Sequence, residues 1–361
     1  MHVMGGGDVG GAKTQIMNTV TGLSRTNDVM LISFRAGPFA DEARERGIDV
    51  RVIERHNPFR AARTMRDLVD EFKPDIIHCH GGRANLMGAM VRRSRHIPII
   101  TTVHSDYRLD YLGSPLKQHT LGTANAIALR FLDFYQPVAD RMARTLIERG
   151  FDPERIVKIY NGMEFNRPEG EFDRAAYLRE TYGAEIEEGD VLCGIAARLT
   201  AVKDIATTVR GFAEALKTAP QLRLFIAGDG EDADMLKKLC DQLGVRERVT
   251  FCGWVSPVMP FFRAMDINLL SSVSETFPYS ILEGVCAGCA TICSDVGGMP
   301  ELIDTGENGY IFPVGDDKKL AEYMARLAND AALRHTFAEA LYAKASRDFS
   351  KDKMCERQEA N

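Results

Sequence analysis

The sequence lacks several features that mark specialised classes of protein. Its 361 residues contain 45 lysines and arginines against 51 aspartates and glutamates, so it lacks the basic excess of a chain that coats nucleic acid. No apolar run approaches the ~18 residues needed to cross a bilayer. Short-period repeats and low-complexity tracts are also missing, which excludes solenoid and fibrous architectures. Because 45% of the residues are hydrophobic, the composition indicates a globular chain of about two domains.

The start of the sequence also lacks the pattern of a secretion signal. Met1 to Met4 lead directly into three glycines, without a basic start or an apolar core. We therefore expect a cytoplasmic protein, with peripheral attachment to the inner face of a membrane as an additional hypothesis.

Cysteine and histidine raise the question of a metal. Cys286, Cys289 and Cys293 are close enough in sequence to share an ion, and His78 and His80 would share one face of a strand. The cysteines lie mostly in apolar segments, however, and no distant cysteine pair completes a ligand set. We expect reduced, buried thiols, histidines at a strand end near a pocket, and no bound metal.

Short β-rich runs alternate with helical periodicity along the chain, which predicts parallel sheets covered by helices. The predicted strands after a very short first one are 29–34, 50–53, 75–79, 97–103, 191–196, 222–227, 248–252, 266–270, 290–293 and 310–312. Glycines and Pro168 interrupt the stretch from Asn161 to Glu188, which is the predicted boundary between two Rossmann-like halves. Open α/β sheets bind ligands beyond the carboxyl ends of their strands, so a cleft between two such domains is the expected site.

A glycine-rich segment follows the first strand. Gly5, Gly7 and Gly10 match the Gly-x-Gly-x-x-Gly pattern, in which backbone amides approach a phosphate at a helix N-terminus. The next strand ends at Ser33-Phe34-Arg35 without the acidic residue that holds a ribose in NAD proteins. An NAD-dependent oxidoreductase is therefore an alternative that rests on the glycines alone.

The most informative segment runs from Ser271 to Gly288. Pro278 is typical of the start of a helix, so Glu275 is predicted in the preceding loop and Glu283 on the helix. A diphosphate at the helix N-terminus would be flanked by two carboxylates that can accept hydrogen bonds from sugar hydroxyls. The backbone amides predicted to face that anion are those of Phe277, Tyr279 and Ser280. The alternative is a surface helix whose acidic first turn needs no ligand.

Further loops follow predicted strand ends. Arg198 and Lys203 lie just after the strand 191–196, where two cations could neutralise a diphosphate and stabilise it as it leaves. The turn Gly228-Asp229-Gly230 and the loop Gly297-Gly298-Met299-Pro300-Glu301 follow two other strands.

In this order, with Asn308-Gly309, these segments resemble the retaining glycosyltransferases of family 4, also called glycosyl transferases group 1. The resemblance extends over nearly the whole chain and is strongest from about Val191 to Pro313. It implies the GT-B fold, an α/β architecture of two facing Rossmann-like domains with parallel sheets and an interdomain cleft. It further implies an acceptor-binding domain at 1–163 and a nucleotide-sugar-binding domain at 164–345, with a C-terminal helix at about 346–361 packed back on the first.

The resemblance also implies roles for individual residues. Glu275 would hold donor-sugar hydroxyls, Glu283 the ribose, and Arg198 with Lys203 the diphosphate. Further donor contacts are implied for Gly10, Gly11, His104, Gly228, Gly230, Trp254, Thr276, Phe277, Pro278, Tyr279 and Ser280. His104 could alternatively be a polar cap on a strand, and Trp254 could be a core residue. Thr276 stands where the family often has glycine, which leaves donor preference open.

The implied reaction is a metal-independent hexosyl transfer that retains the anomeric configuration. The expected donor is a UDP-sugar, with a GDP-sugar as the second choice, and no other cofactor is required. A leaving diphosphate held by fixed cations can accept the acceptor's proton on the same face, so Glu275 is expected to bind sugar and not to act as the nucleophile.

The acceptor is expected to be a glycan or a lipid-linked molecule, as in polysaccharide biosynthesis. Residues 107–135 mix basic and apolar side chains, and Arg92, Arg93 and Arg95 add a basic cluster, which together favour an anionic membrane surface as a partner. The alternative for the same stretch is a long core helix with solvated arginines. A sugar-nucleotide epimerase and a non-catalytic sugar-binding protein are the remaining alternatives for the whole chain.

Overall fold

The computed structural model describes residues 1–5, 11–54, 57–92, 94–104, 106 and 118–360. The chain divides into two compact units, the first made of Met1–Met163 with Phe349–Asn361 and the second of Glu164–Asp348. Each unit has its own parallel sheet and its own apolar core.

The sheet of the first unit has six strands in the described residues, in the order β3-β2-β1-β4-β5-β6, with every neighbouring pair parallel. The strands are β1 (His2–Met4), β2 (Met30–Ser33), β3 (Asp49–Val52), β4 (Ile77–His80), β5 (Ile99–Val103) and β6 (Phe134–Pro137). Strand β1 pairs with both β2 and β4, so the direction of strand addition reverses beside it. Ligands of doubly wound sheets bind at such a switch point.

The second unit repeats this topology. Its strands are β7 (Val191–Ala196), β8 (Leu222–Ala227), β9 (Val249–Gly253), β10 (Ile267–Leu270), β11 (Ala290–Ser294) and β12 (Tyr310–Phe312). They lie in the order β12-β11-β10-β7-β8-β9, again parallel, which puts the switch point between β7 and β10. The prediction of two Rossmann-like domains with parallel sheets is thus confirmed.

Helices cover the sheets because each β-α-β crossover returns the chain across a sheet face. In the first unit these are α1 (Gly11–Leu23), α2 (Pro38–Glu45), α3 (Pro58–Phe72), α4 (Gly82–Arg92), a π-helical turn (Gln118–Gly122), α5 (Thr123–Leu129) and α6 (Asp140–Glu148). Helix α3 shows how sequence sets a start: the Asn57 side chain accepts hydrogen bonds from the amides of Phe59 and Arg60, and Pro58 occupies the first helical position.

The second unit contains α7 (Arg174–Tyr182), α8 (Ile205–Ala215), α9 (Ala233–Gln242), α10 (Met259–Arg263), α11 (Tyr279–Ala287), α12 (Met299–Leu302), α13 (Asp317–Asn329) and α14 (Ala331–Asp348). The last helix, α15 (Lys351–Glu359), belongs to the first unit. It packs on α1, where the Cys355 side chain lies against Gly22, and Lys351 donates its amide to the carbonyl of Met163.

Strand β6 was missed by the sequence analysis, which placed residues 107–135 in a long helix or on a membrane-facing surface. The structure instead has the π-helical turn, α5 and the edge strand β6, while 107–117 lie outside the described residues. The four residues of β6 include Gln136 and Pro137, so they form no apolar run. Their extended state comes from pairing with β5, from Ile100 to Val103, which no local pattern reveals.

Candidate functional site

The candidate site of the second unit is built from loops that leave the carboxyl ends of its strands. The loop after β7 makes a short 3-10 turn, Ala201–Lys203, and Asp204 then caps α8 by accepting a hydrogen bond from the amide of Thr207. The loop after β10 is joined to it, because the Val273 amide donates to the Val202 carbonyl over 2.9 Å. These bonds hold Lys203 and Glu275, both predicted site residues, on neighbouring loops at the switch point between β7 and β10.

Lys203 and Glu275 form an ion pair. The Lys203 ammonium donates to Oε1 of Glu275, which also accepts from the Ser272 hydroxyl at 2.8 Å. The two side chains are only 20% and 12% exposed, so the pair is largely shielded from water. The other oxygen, Oε2, has no hydrogen-bond partner among the residues that the structure describes. The arrangement places the Lys203 cation beside the Glu275 carboxylate, whose Oε2 can still accept a hydrogen bond.

Glu283 lies on α11, one helix turn beyond the N-terminus. Its carboxyl is mostly buried and has no hydrogen bond or ion pair within the described part of the chain. Burial without compensation raises the pKa of Glu283 from 4.5 to about 7, because desolvation disfavours the charged form. A buried carboxylate without a partner is the kind of group that a hydroxyl-bearing ligand would satisfy.

Helix α11 begins at Tyr279, one residue later than predicted, with Pro278 as its N-cap. Phe277 and Tyr279 are 2% and 5% exposed, so their side chains belong to the core. They can therefore contribute to a ligand only through the backbone. The Thr276 side chain, by contrast, is only half-buried.

Two glycine positions bring backbone into the site. Gly228 has a φ of 142°, and a Cβ there would lie 1.8 Å from the Ala197 carbonyl oxygen, so no other residue fits. Gly297 has a φ of 52°, and a Cβ added there would lie 2.2 Å from the Thr276 carbonyl oxygen. The loops after β8 and β11 are thereby packed directly on the loops that carry residues 198 and 275.

Arg198 and Trp254 are both exposed at this edge of the second sheet. Arg198 follows β7 and has no ion-pair partner among the described residues. Trp254, just after β9, is 60% exposed, which excludes the alternative that it is a core residue. An exposed indole at a strand end can stack on a flat ring.

In the first unit, His104 directly follows β5. Its ring is buried enough to lower its pKa from 6.5 to about 4, so the imidazole is neutral at physiological pH. Nε2 of His104 lies 3.4 Å from Nδ1 of His80. Gly11 is the exposed first residue of α1, whereas Gly10 lies outside the described residues.

His2, His78 and His80 form a buried group whose ring nitrogens lie within 4.8 Å of one another. Their rings are stacked: the planes of His78 and His80 differ by 20° with centroids 4.4 Å apart, and those of His2 and His80 by 15°. The His78 nitrogens are already bonded, to Thr102 at 2.7 Å and Gln358 at 2.8 Å, and Nδ1 of His2 lies 3.2 Å from Nε2 of His80.

The cysteine cluster suggested by spacing does not form in the described residues. Cys286 donates to the carbonyl of Asn166, and Cys289 to that of Phe262. Cys293 is buried within β11, and burial raises the pKa of all three thiols. They are inert core groups.

The basic cluster near the first sheet is largely neutralised. Arg92 pairs with Asp133 and Arg95 with Asp70, whereas Arg93 lies outside the described residues. Four apolar side chains nearby in sequence are nevertheless exposed: Leu121 at 52%, Ile127 at 56%, Phe131 at 60% and Phe134 at 40%. Among the described residues, none of the helices is both long and apolar enough to cross a bilayer.

Sequence reasoning missed the contribution of Ser272. Its hydroxyl is bonded to Glu275, and its position three residues before a loop glutamate was the available signal. His80, which was expected at a strand end near a pocket, contacts His104 there.

Comparison with known families decides what these sites belong to. Residues 9–167 match the family described as Glycosyltransferase Family 4, and residues 183–344 match Glycosyl transferases group 1. The two matches do not overlap and together span most of the chain. The chain is a family 4 glycosyltransferase. The resemblance inferred from the motifs is therefore confirmed, and this glycosyltransferase is an enzyme of sugar transfer.

Curated relatives of this glycosyltransferase are distant in sequence, but each match covers most of both chains. The N-acetyl-alpha-D-glucosaminyl L-malate synthase of Bacillus anthracis is 26% identical over 304 residues, 81% of this chain and 75% of the relative. The alpha-monoglucosyldiacylglycerol synthase of Streptococcus pneumoniae is 25% identical over 309 residues, 82% of this chain and 69% of the relative.

Among solved structures, Anabaena HepE in complex with UDP-glucose superposes with a TM-score of 0.85 and 21% identity, covering 100% of this chain and 99% of HepE. Sucrose-phosphate synthase from Thermosynechococcus elongatus gives a TM-score of 0.80 and 15% identity, covering 99% and 97%. Likeness at this level of identity shows the fold, which is GT-B.

Proposed function

We propose that this glycosyltransferase moves a hexosyl group from a UDP-sugar to a hydroxyl acceptor with retention of the anomeric configuration. The observation that carries the proposal is the carboxyl edge of the second sheet. Glu275, paired with Lys203, lies in the loop before α11, and the Glu283 carboxyl on α11 has no hydrogen-bond or ion-pair partner among the described residues. The choice of UDP is supported by the UDP-glucose bound to the structurally similar HepE.

The second unit is the proposed donor domain. Glu283 would accept hydrogen bonds from the ribose hydroxyls, which compensates the desolvation of its carboxylate. Arg198 and Lys203 would hold the diphosphate, and Trp254 would stack on the uracil ring. The backbone amides of Thr276, Phe277, Tyr279 and Ser280 would add hydrogen bonds at the positive end of the helix dipole.

The charges dictate what each group can do in the transfer. The sugar–phosphate bond breaks as negative charge builds on the departing phosphate oxygen, and the Arg198 and Lys203 cations stabilise that charge. The same phosphate oxygen accepts the proton of the incoming hydroxyl on the face it leaves, which gives retention. Glu275 is already engaged by Lys203 and Ser272 through Oε1, so its Oε2 would hold a sugar hydroxyl and not attack the anomeric carbon. We propose that the transfer is metal-independent, because these fixed cations take over the charge stabilisation that a divalent ion would otherwise give.

The first unit is the proposed acceptor domain, with His104 and Gly11 at the carboxyl side of its sheet. A lipid-linked or envelope glycan acceptor is supported by the relatives, which include the alpha-monoglucosyldiacylglycerol synthase of Streptococcus pneumoniae. The exposed apolar residues from Leu121 to Phe134 are compatible with a membrane surface. Sedimentation with anionic vesicles at low salt tests this, and absence of binding would remove the membrane from the proposal.

Thermal stabilisation tests the donor. UDP-, GDP- and ADP-sugars and NAD are added separately to the protein, because a ligand that binds only the folded state raises its stability. We expect a UDP-sugar to raise Tm, Glu283→Ala to abolish the shift, and Glu188→Ala, which alters an exposed carboxylate, to keep it. A Tm shift with NAD alone would contradict the proposed site. So would the absence of a Tm shift with every one of the nucleotides.

Stereochemistry tests the mechanism without knowledge of the natural acceptor. With UDP-glucose as donor and water as acceptor, proton NMR identifies the first anomer of glucose released. We expect the α anomer, and the β anomer would refute retention. Conversion of the donor to its epimer without any acceptor would instead identify an epimerase.

A further inference from the structure

A buried asparagine lies in the middle of the second sheet, against the start of α11. Asn268, the second residue of β10, is 0% exposed and lies opposite Thr291 on β11. Its neighbours in the strand, Ile267 and Leu269, belong to the apolar core on the other face of the sheet. Since successive side chains of a strand point to opposite faces, Asn268 and Thr291 share the face that α11 covers.

The Asn268 amide is bonded to the first turn of α11. Its Nδ2 donates to the carbonyl of Ser280 over 3.0 Å and lies 3.5 Å from that of Ile281. A carbonyl oxygen can accept only from the nitrogen of an amide, so these two contacts fix the orientation of the Asn268 side chain. A residue of the central strand is thereby tied to the turn with which α11 begins.

Gly284 allows this close approach of helix and strand. A Cβ added at this position of α11 would lie 2.2 Å from Nδ2 of Asn268, and its three nearest atoms would all belong to the Asn268 side chain. Glycine inside a helix is less stable than alanine, so α11 loses some stability where it meets Asn268. The contact sets how close α11 lies to β10.

The other half of the Asn268 amide destabilises the fold. Its Oδ1 is buried and has no hydrogen bond in the part of the chain that the structure describes. A buried acceptor without a partner lowers stability, and an apolar side chain of similar shape would avoid that loss. Asn268 therefore contributes to the position of α11 and adds little net stability.

We propose that Asn268, together with Gly284, is a positioning residue for the donor site and sets where the first turns of α11 lie at the carboxyl edge of the second sheet. Those turns carry two groups assigned to the donor, the Ser280 amide and the Glu283 carboxyl. The inference rests on the proposed function only for its consequence in UDP binding. All of these residues belong to the second unit.

Calorimetric titration with UDP tests this role in the full-length protein, at a temperature at which every variant is folded. Asn268→Leu nearly keeps the shape of the side chain but removes the donor. We expect its UDP affinity to fall about tenfold, the equivalent of one hydrogen bond, while Tm without ligand changes little. A lower Tm with unchanged UDP affinity would show a merely structural role and overturn the proposal.

The matched control is Thr291→Val. Thr291 lies opposite Asn268 on the same face of the sheet, and its buried hydroxyl has no hydrogen bond among the described residues. The variant removes a polar group from the same depth without breaking a contact to α11, so UDP affinity should stay unchanged. An equal loss of affinity in Asn268→Leu and Thr291→Val would also overturn the proposal.

Gly284→Ala tests the same contact from the side of the helix. In the native background the added methyl must displace α11 or the Asn268 side chain, and we expect a similar loss of UDP affinity. In the double variant with Asn268→Ala the methyl has room, so Gly284→Ala should cost no further affinity. Additive losses would overturn the proposal, and this comparison decides it if Asn268→Leu does not fold.

The positioning role and the proposed function fail in different ways. If the native protein binds UDP and Asn268→Leu binds it equally well, the positioning role fails and the donor site stands. If the native protein binds neither UDP nor a UDP-sugar, the proposed function fails, and the positioning role fails with it.

Discussion

The buried carboxyl of Glu283 makes a quantitative prediction about stability. Its pKa is raised from 4.5 to about 7, so the folded protein disfavours the ionised form that prevails at pH 8. The sign is the reverse of the usual salt-bridged carboxylate: stability is lost as pH rises from 4.5 to 7 and stays low above it. The cost of ionising Glu283 is about 3 kcal/mol at pH 8 and about 1 kcal/mol at pH 5.

Glu283→Gln removes this cost because glutamine has nearly the same shape and carries no charge. We expect the variant to be more stable than the native protein without ligand, and the difference to grow by about 2 kcal/mol from pH 5 to pH 8. For a unit the size of Glu164–Asp348 this corresponds to a Tm difference that widens by roughly 4–8 °C. Differential scanning calorimetry of both proteins at matched pH measures it.

The control is Glu188→Gln, which changes an exposed carboxylate and should show no pH-dependent gain. A Glu283→Gln difference that is equal at pH 5 and pH 8 would refute the argument that burial alone shifts this group. The same residue predicts that affinity for a UDP-sugar weakens by about tenfold per pH unit below 7, since the ribose hydroxyls must bind the ionised carboxylate.

Three further predictions concern the second unit. Lys203→Met should lower kcat about 100-fold, because a cation is lost both from the leaving phosphate and from Glu275. Steady-state transfer assays measure kcat, and an unchanged value would show that Lys203 does not stabilise the leaving phosphate. Trp254→Ala should weaken UDP binding about tenfold by calorimetry without changing Tm, because the exposed indole supports only stacking. Gly228→Ala should destabilise the fold by at least about 2 kcal/mol more than Gly189→Ala. Both glycines have positive φ, but only at Gly228 would a Cβ collide with the backbone, at Ala197. Equal losses of unfolding free energy in denaturant titrations would show that only the strain of a positive φ matters.

The strands of the second sheet could be placed from the sequence to within about two residues. Parallel strands buried on both faces are continuous apolar runs, and glycine or proline punctuates their ends. The same reasoning put Glu275 in a loop and Glu283 on a helix, because Pro278 and the apolar periodicity after it are local signals. The family follows from the order of these motifs.

Other features could not be predicted because they depend on contacts between distant segments. Strand β6 exists through pairing with β5, and the neutralisation of Arg92 and Arg95 depends on Asp133 and Asp70, which are remote in sequence. The exposure of Trp254 and the burial of Phe277 were equally open, since an aromatic residue in a loop can point either way.

The amino-acid pattern alone thus accounts for two Rossmann-like domains, their boundary region and the loops that carry the chemistry, because periodicity and turn residues act over a few positions. Tertiary structure decided the protonation and pairing of the groups in those loops. Lys203 meets Glu275 across 72 positions, and His2 meets His80 across 78. Such pairs exist only once parallel strands are ordered side by side, and the desolvation that raises the pKa of Glu283 and lowers that of His104 exists only in the packed interior.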